Sequence, residues 1–169
     1  MKGRLFIILG GIVLLGLPAC VQPPNYPNEP IIEYVGLNKN TIAQGNQNSA
    51  PDTLEVIFSF TDGDGNLGFP DDSLNVFDAI LTDSRDGFEH LFRLPVLPEQ
   101  GVGNGVSGEI TLRVPNRLPI CCTFPDGSTA CQPSTRFPTD TMSFAIRIMD
   151  RERNVSNTVR TEQITILCQ

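Results

Sequence analysis

The chain has 169 residues, 12 of them basic and 19 acidic, for a formal net charge of −7. An acidic chain with no basic run is a poor partner for nucleic acid. Tryptophan is absent and there are two tyrosines, Tyr26 and Tyr34, so aromatic platforms for stacking sugars are scarce, while the ten phenylalanines fall mostly in strand-like runs and read as core.

The chain opens with Lys2 and Arg4, followed by an uncharged, largely apolar run of 13 residues, 5–17. That length suits the core of a signal peptide and falls short of the roughly 20 residues a membrane span needs. Leu17-Pro18-Ala19-Cys20 ends the run, and this segment resembles the lipobox of bacterial lipoproteins. The resemblance implies that residues 1–19 are removed and that Cys20 is acylated, palmitate included, as the first residue of the mature chain. The plain alternative is an ordinary signal peptide cleaved after Ala19. Several acyl chains on one cysteine make a durable anchor, since each buried methylene contributes about 0.8 kcal/mol.

Cleavage would leave 150 residues, ten basic and nineteen acidic, with a net charge of −9. Anionic lipid would repel such a chain, so the anchor rather than surface charge must hold it at a membrane. Residues 20–30 form the expected tether. Four prolines in the ten residues after Cys20 favour extended backbone, which at about 3.1 Å per residue reaches roughly 30 Å. Val21-Gln22-Pro23-Pro24-Asn25 lacks the acidic cluster that resembles surface-export signals, so the expected location is the outer membrane, on its periplasmic face.

The remainder, 31–169, reads as one domain built of strands. Residues 31–37 are the first. In 54–60, Leu54, Val56, Phe58 and Phe60 share one face. Strands are expected at 74–82 and 88–94, joined by a turn ending in Asp86-Gly87, where glycine accepts positive φ without steric cost. Glu99 to Gly108 is a glycine-rich loop. Ile110, Leu112 and Val114 alternate with Thr111 and Arg113, and Pro125-Asp126-Gly127 marks a turn. In 142–148 the apolar face is Met142, Phe144, Ile146 and Ile148, and Ile164 and Ile166 flank Thr165 near the end. A period of two marks half-buried strands of antiparallel sheets. About seven or eight such strands with frequent turns predict an all-β fold, an immunoglobulin-like antiparallel β-sandwich.

Four cysteines remain beyond Cys20. In an exported chain they read as two disulfides, with free or metal-bound thiols as the rival. Cys122 shares phase with Leu118, Ile120 and Phe124, and Cys168 with Ile164 and Ile166, whereas Cys121 has the opposite phase. Of the three connectivities, phase favours Cys122–Cys168 in the core and Cys121–Cys131 closing the Pro-Asp-Gly loop.

The strongest chemical motif is Asp62-Gly63-Asp64-Gly65-Asn66. Side-chain oxygens stand at positions 1, 3 and 5, and the glycines let a short loop turn them inward. A hard cation such as Ca²⁺ takes six to eight oxygens, and alternating carboxylates supply several. The segment resembles the DxDxN calcium loops of extracellular bacterial modules. It departs from the EF-hand, with Leu67 at position 6 and Ser73 at position 12. Further ligands are sought in Asp71, Asp72 and Asp150. If 54–61 and 142–149 are the second and sixth strands of an immunoglobulin-like sandwich, they run the same way, and Asp62 and Asp150 become neighbours. The competing reading is plain turn chemistry. Any bound calcium is expected to be structural.

Asp150-Arg151-Glu152-Arg153-Asn154-Val155-Ser156-Asn157 resembles the D-x-x-G-N-x-S motif before the last strand of bacterial immunoglobulin-like domains, with Arg153 in place of the glycine. Together with the lipobox and the acidic loop, it makes the chain similar to Gram-negative lipoproteins carrying an immunoglobulin-like domain. That resemblance implies a fold and a location and no reaction. His90, the single histidine, reads as structural, and no G-x-S-x-G or H-E-x-x-H motif is present. The expected function is therefore a non-enzymatic, lipid-anchored envelope module for adhesion, scaffolding or assembly with a protein partner. An accessory lipoprotein binding a peptide or glycan is the alternative, and a hydrolase using the acidic loop ranks last.

Overall fold

The computed structural model describes residues 25–45, 50–70, 76–98, 105–117 and 120–169. The lipobox, Cys20, Asp71 and Asp72 lie outside the described residues. Among those described there is no helix, and so none long and apolar enough to cross a membrane. Ten strands form the fold: β1 (Ile31–Leu37), β2 (Thr41–Ala43), β3 (Thr53–Asp62), β4 (Ala79–Asp83), β5 (Glu89–Phe92), β6 (Val106–Pro115), β7 (Thr139–Met142), β8 (Phe144–Ile148), β9 (Val159–Arg160) and β10 (Ile164–Leu167).

Alternation builds the core. β3 buries Leu54, Val56, Phe58 and Phe60 and pairs antiparallel with β1 on one side and β6 on the other. β1 shifts register between Tyr34 and Gly36, a bulge that leaves Val35 exposed. The facing layer is two sheets, ordered β2-β10-β7 and β5-β4-β8-β9. They are halves of one surface. β7 leads into β8 across Ser143, and β9 into β10 across 161–163. Side chains carry the ladder over the break. The Phe144 amide donates to the Thr161 hydroxyl at 2.9 Å and the Thr161 amide to the Phe144 carbonyl at 2.9 Å. On the other flank the Ser143 amide donates to Ser84 Oγ and the Ser84 amide to the Ser143 carbonyl, each at 3.0 Å. Inward side chains of both layers, among them Ile32, Phe58, Leu81, Phe144, Ile146, Ile164 and Ile166, form one buried cluster.

The molecule is an all-β sandwich. Its sheets are β1-β3-β6 in one layer and β2-β10-β7 with β5-β4-β8-β9 in the other. The expected seven or eight strands become ten, for identifiable reasons. The run 142–148 keeps its phase but splits at Ser143, and β2 and β9, of three and two residues, are too short to alternate. β2 also pairs parallel with β10, the one parallel ladder among the described strands. Of the expected strand 74–82, residues 74 and 75 lie outside the described residues and β4 begins at Ala79; the Asp78 carboxylate before it accepts from two backbone amides, those of Phe69 and Leu94. The glycine-rich loop ends sooner than expected. Val106, Ser107 and Gly108 belong to β6 and pair with Asp62, Thr61 and Phe60.

Candidate metal centre

Both long inward rows end in a carboxylate. The row Leu54, Val56, Phe58, Phe60 continues in phase to Asp62, and the row Met142, Phe144, Ile146, Ile148 continues to Asp150. Asp62 and Asp150 are both 0% exposed. As the shared direction of the two strands requires, the loops after β3 and β8 meet at one end of the sandwich. The Arg151 amide approaches the Asn66 carbonyl at 3.4 Å. The Arg151 guanidinium gathers the carbonyls of Gly68 at 2.7 Å, Leu97 at 2.8 Å and Leu67 at 3.3 Å.

The acidic loop folds tightly over this end. Leu67, the residue that breaks the EF-hand pattern, is fully buried and pins the loop to the core. Gly65 and Gly68 take φ of 67° and 80°, the left-handed region that favours glycine. Gly63 is enclosed differently. Its amide donates to the Pro27 carbonyl at 2.7 Å, and a Cβ there would lie 2.4 Å from the Tyr26 carbonyl oxygen. Tyr26 also covers Gly105. Residues 25–30, read from sequence as tether, thus include a strap across the acidic loop, and Pro30 is buried.

Within the loop the Asn66 amide donates to Asp62 Oδ2 at 3.1 Å. Asp62 Oδ1, Asp64 Oδ1 and Asn66 Oδ1 are shut off from solvent and have no hydrogen-bond partner. Burial, then the adjoining Asp64 carboxyl, push the Asp62 carboxyl up to about 6, with a smaller contribution from the charge of Asp150. Asp150 is near enough to be felt but is engaged elsewhere. Its Oδ1 accepts from the Asn154 amide at 2.8 Å and its Oδ2 from Asn154 Nδ2 at 2.7 Å. Among the described residues, no three His, Cys, Asp or Glu side chains converge as a metal-ligand group. The buried, unpartnered oxygens belong to two carboxylates and one amide.

The rest of the 150–157 segment is structural. Arg153 has φ of 71°, the conformation for which the resembling motif uses glycine. Ser156 Oγ accepts from the Ile148 amide at 3.0 Å. Asn157 brackets Ile32 of β1, accepting from its amide at 2.8 Å and donating to its carbonyl at 2.9 Å, which ties the two layers together. Sequence reasoning missed Asp78, Arg151 and the strap. Asp78 stands 1% exposed beside this end, its carboxyl raised by burial and held by the Phe69 and Leu94 amides. A carboxylate directly before a strand was its only trace.

The opposite end carries the cross-links. Cys121 is joined to Cys131 with Cα atoms 4.6 Å apart, and Cys122 to Cys168 at 5.8 Å. These are the pairs that strand phase favoured. Beside them Arg85 bridges Asp83 at 2.7 Å and Asp140 at 2.6 Å and donates to the Cys121 carbonyl at 2.8 Å. His90 is packed edge-on against Phe88 and Phe144, with centroids at 5.0 and 5.4 Å, and burial depresses its pKa. It is a buried ring of the core. Comparison with protein-family models, with curated proteins and with solved structures finds no match to this chain.

Proposed function

We propose that this chain is a non-enzymatic module of a Gram-negative cell envelope, anchored through acylated Cys20 to the periplasmic face of the outer membrane. Its domain serves adhesion, scaffolding or assembly with a protein partner. The supporting sequence feature is a 13-residue apolar run that ends directly at a cysteine. The observation that carries the reading further is the strap, fixed by the bond from the Gly63 amide to the Pro27 carbonyl. Five peptide steps separate Cys20 from Asn25, at most about 18 Å of extended chain. The acidic end of the sandwich therefore faces the bilayer at close range, nearer than the roughly 30 Å that a free proline tether would allow. The disulfide end, with its Pro-Asp-Gly loop, faces away and is the end a partner meets.

The decisive experiment is Cys20→Ala in cells that export the chain. The variant is expected in the soluble periplasmic fraction, while the parent chain stays with the membrane and incorporates labelled palmitate. A variant that remains membrane-bound would overturn the anchor. A second reading, peptide capture by an accessory lipoprotein, is favoured by the outer position of β5 beside exposed Phe88 and Leu91, at 49% and 45%. A peptide can add to such an edge through main-chain bonds.

A further inference from the structure

Three side-chain oxygens of one five-residue loop are buried without a donor. Asp62 Oδ1, Asp64 Oδ1 and Asn66 Oδ1 are each sealed from solvent and unpartnered. Asp62 is 0% and Asn66 8% exposed, so two of the three come from side chains more than nine-tenths buried. An unsatisfied buried acceptor costs about 1–3 kcal/mol, and more when charged. One such atom is ordinary. Three within five residues of one loop, two of them on carboxylates, call for a positive partner. A proton shared between Asp62 and Asp64 would serve both carboxylates and still leave the Asn66 oxygen without a donor.

Among the described residues no basic side chain donates to these three oxygens. The guanidinium of Arg151, on the adjoining loop, donates to the carbonyls of Leu67, Gly68 and Leu97. The loop is fixed in place by contacts that do not involve the three oxygens. Leu67 anchors it to the core, Gly65 and Gly68 turn it, and the Pro27 carbonyl fixes Gly63. A preformed cradle of this kind lets a metal bind without folding the loop first.

We propose that Asp62, Asp64 and Asn66 bind one Ca²⁺ ion through these oxygens, with Asp150 as a flanking charge held by Asn154. All donors are hard oxygens, which excludes a preference for zinc or copper. Calcium accepts irregular sets of six to eight oxygens. Magnesium demands a near-ideal octahedron and gives up water reluctantly. The ion would tie the β3 and β8 loops beneath the N-terminal strap. This site does not depend on the acyl anchor, and its test leaves the anchor unexamined.

The test is titration of Ca²⁺ into the full chain after chelation, read by calorimetry and by thermal melting, with Mg²⁺ as the comparison. One ion per chain and a higher melting temperature with Ca²⁺ are expected, with a weaker response to Mg²⁺. Asp64→Asn, at a half-buried position, should fold and bind about tenfold or more weakly. Asp62→Asn should raise the melting temperature of the metal-free chain, by removing a buried charge, yet abolish the calcium response. A merely structural aspartate would not give those opposite signs. No binding heat and no change of melt with calcium would overturn the proposal. So would an equal response to Mg²⁺, or an undiminished calcium response in Asp64→Asn.

Discussion

A methyl group at residue 63 would lie 2.4 Å from the Tyr26 carbonyl oxygen and 2.6 Å from that of Pro27. Neither neighbour is the tip of a flexible side chain, so the backbone of the strap or of the loop must move. Gly63→Ala is expected to cost about 2–3 kcal/mol, in the range of overpacking a tight site, and to free the strap for proteolysis near Tyr26. Gly87→Ala is the control. Its φ is 76° but nothing lies within 4 Å of the added carbon, so only the left-handed strain of about 1–2 kcal/mol applies. Chemical denaturation of the two variants checks the difference, and equal losses would show that the strap contact is loose. At this scale the sequence was partly legible. Asp62, Asp64 and Asn66 stood out by spacing, with oxygens at alternate positions separated by glycine, a pattern that turn chemistry also produces. Asp150 followed from strand direction. Arg151 and Asp78 gave no such signal, since each acts by bonding to backbone groups that only the folded loops bring to it. Tyr26 and Pro27 sat in a proline-rich stretch whose composition speaks for extension and says nothing about what it lies against.

The elements that alternated over five or more residues were readable, and the interruptions were not. Met142, Phe144, Ile146 and Ile148 are buried as one row, so the phase of that run was right, yet the ladder breaks at Ser143. The reason is a substitution of partners. Where a neighbouring strand would present a carbonyl, the Phe144 amide meets the hydroxyl of Thr161, which in turn donates to the Glu162 carbonyl at 2.9 Å. A period-two pattern carries no trace of which acceptor a buried amide uses. Thr161→Val keeps the shape and removes the acceptor. It should cost about 1–3 kcal/mol, because the buried Phe144 amide loses its partner, and should speed hydrogen exchange at that amide. A variant as stable as the parent would mean that the two sheets of this layer are joined by something else. Short strands fared worst: β2 and β9 have three and two residues, and pairing alone defines them.

The whole molecule is fastened differently at its two ends. At the strap end, two rows of core side chains terminate in Asp62 and Asp150, and the loops are held by carbonyl contacts of Arg151 and by the strap. At the far end the fastening is covalent. Cys122–Cys168 spans 46 positions of sequence and Cys121–Cys131 spans 10. In the chain-entropy account, closing the longer loop restricts the unfolded chain by about 4 kcal/mol and the shorter by about 2.7 kcal/mol. Packing widens the gap, since Cys122 and Cys168 are 0% and 1% exposed within the core whereas Cys131 is half-buried at the surface. Replacing Cys122 and Cys168 together by alanine should therefore destabilise the domain more than replacing Cys121 and Cys131. The larger loss should appear as a lower melting temperature under oxidising conditions. The calcium response of the opposite end should survive in both double variants for as long as they fold, because neither bridge touches the acidic loop. If the loss of Cys121–Cys131 proved the more damaging, the Pro-Asp-Gly loop would be part of the folding core, and the division into a covalent end and a loop-held end would fail.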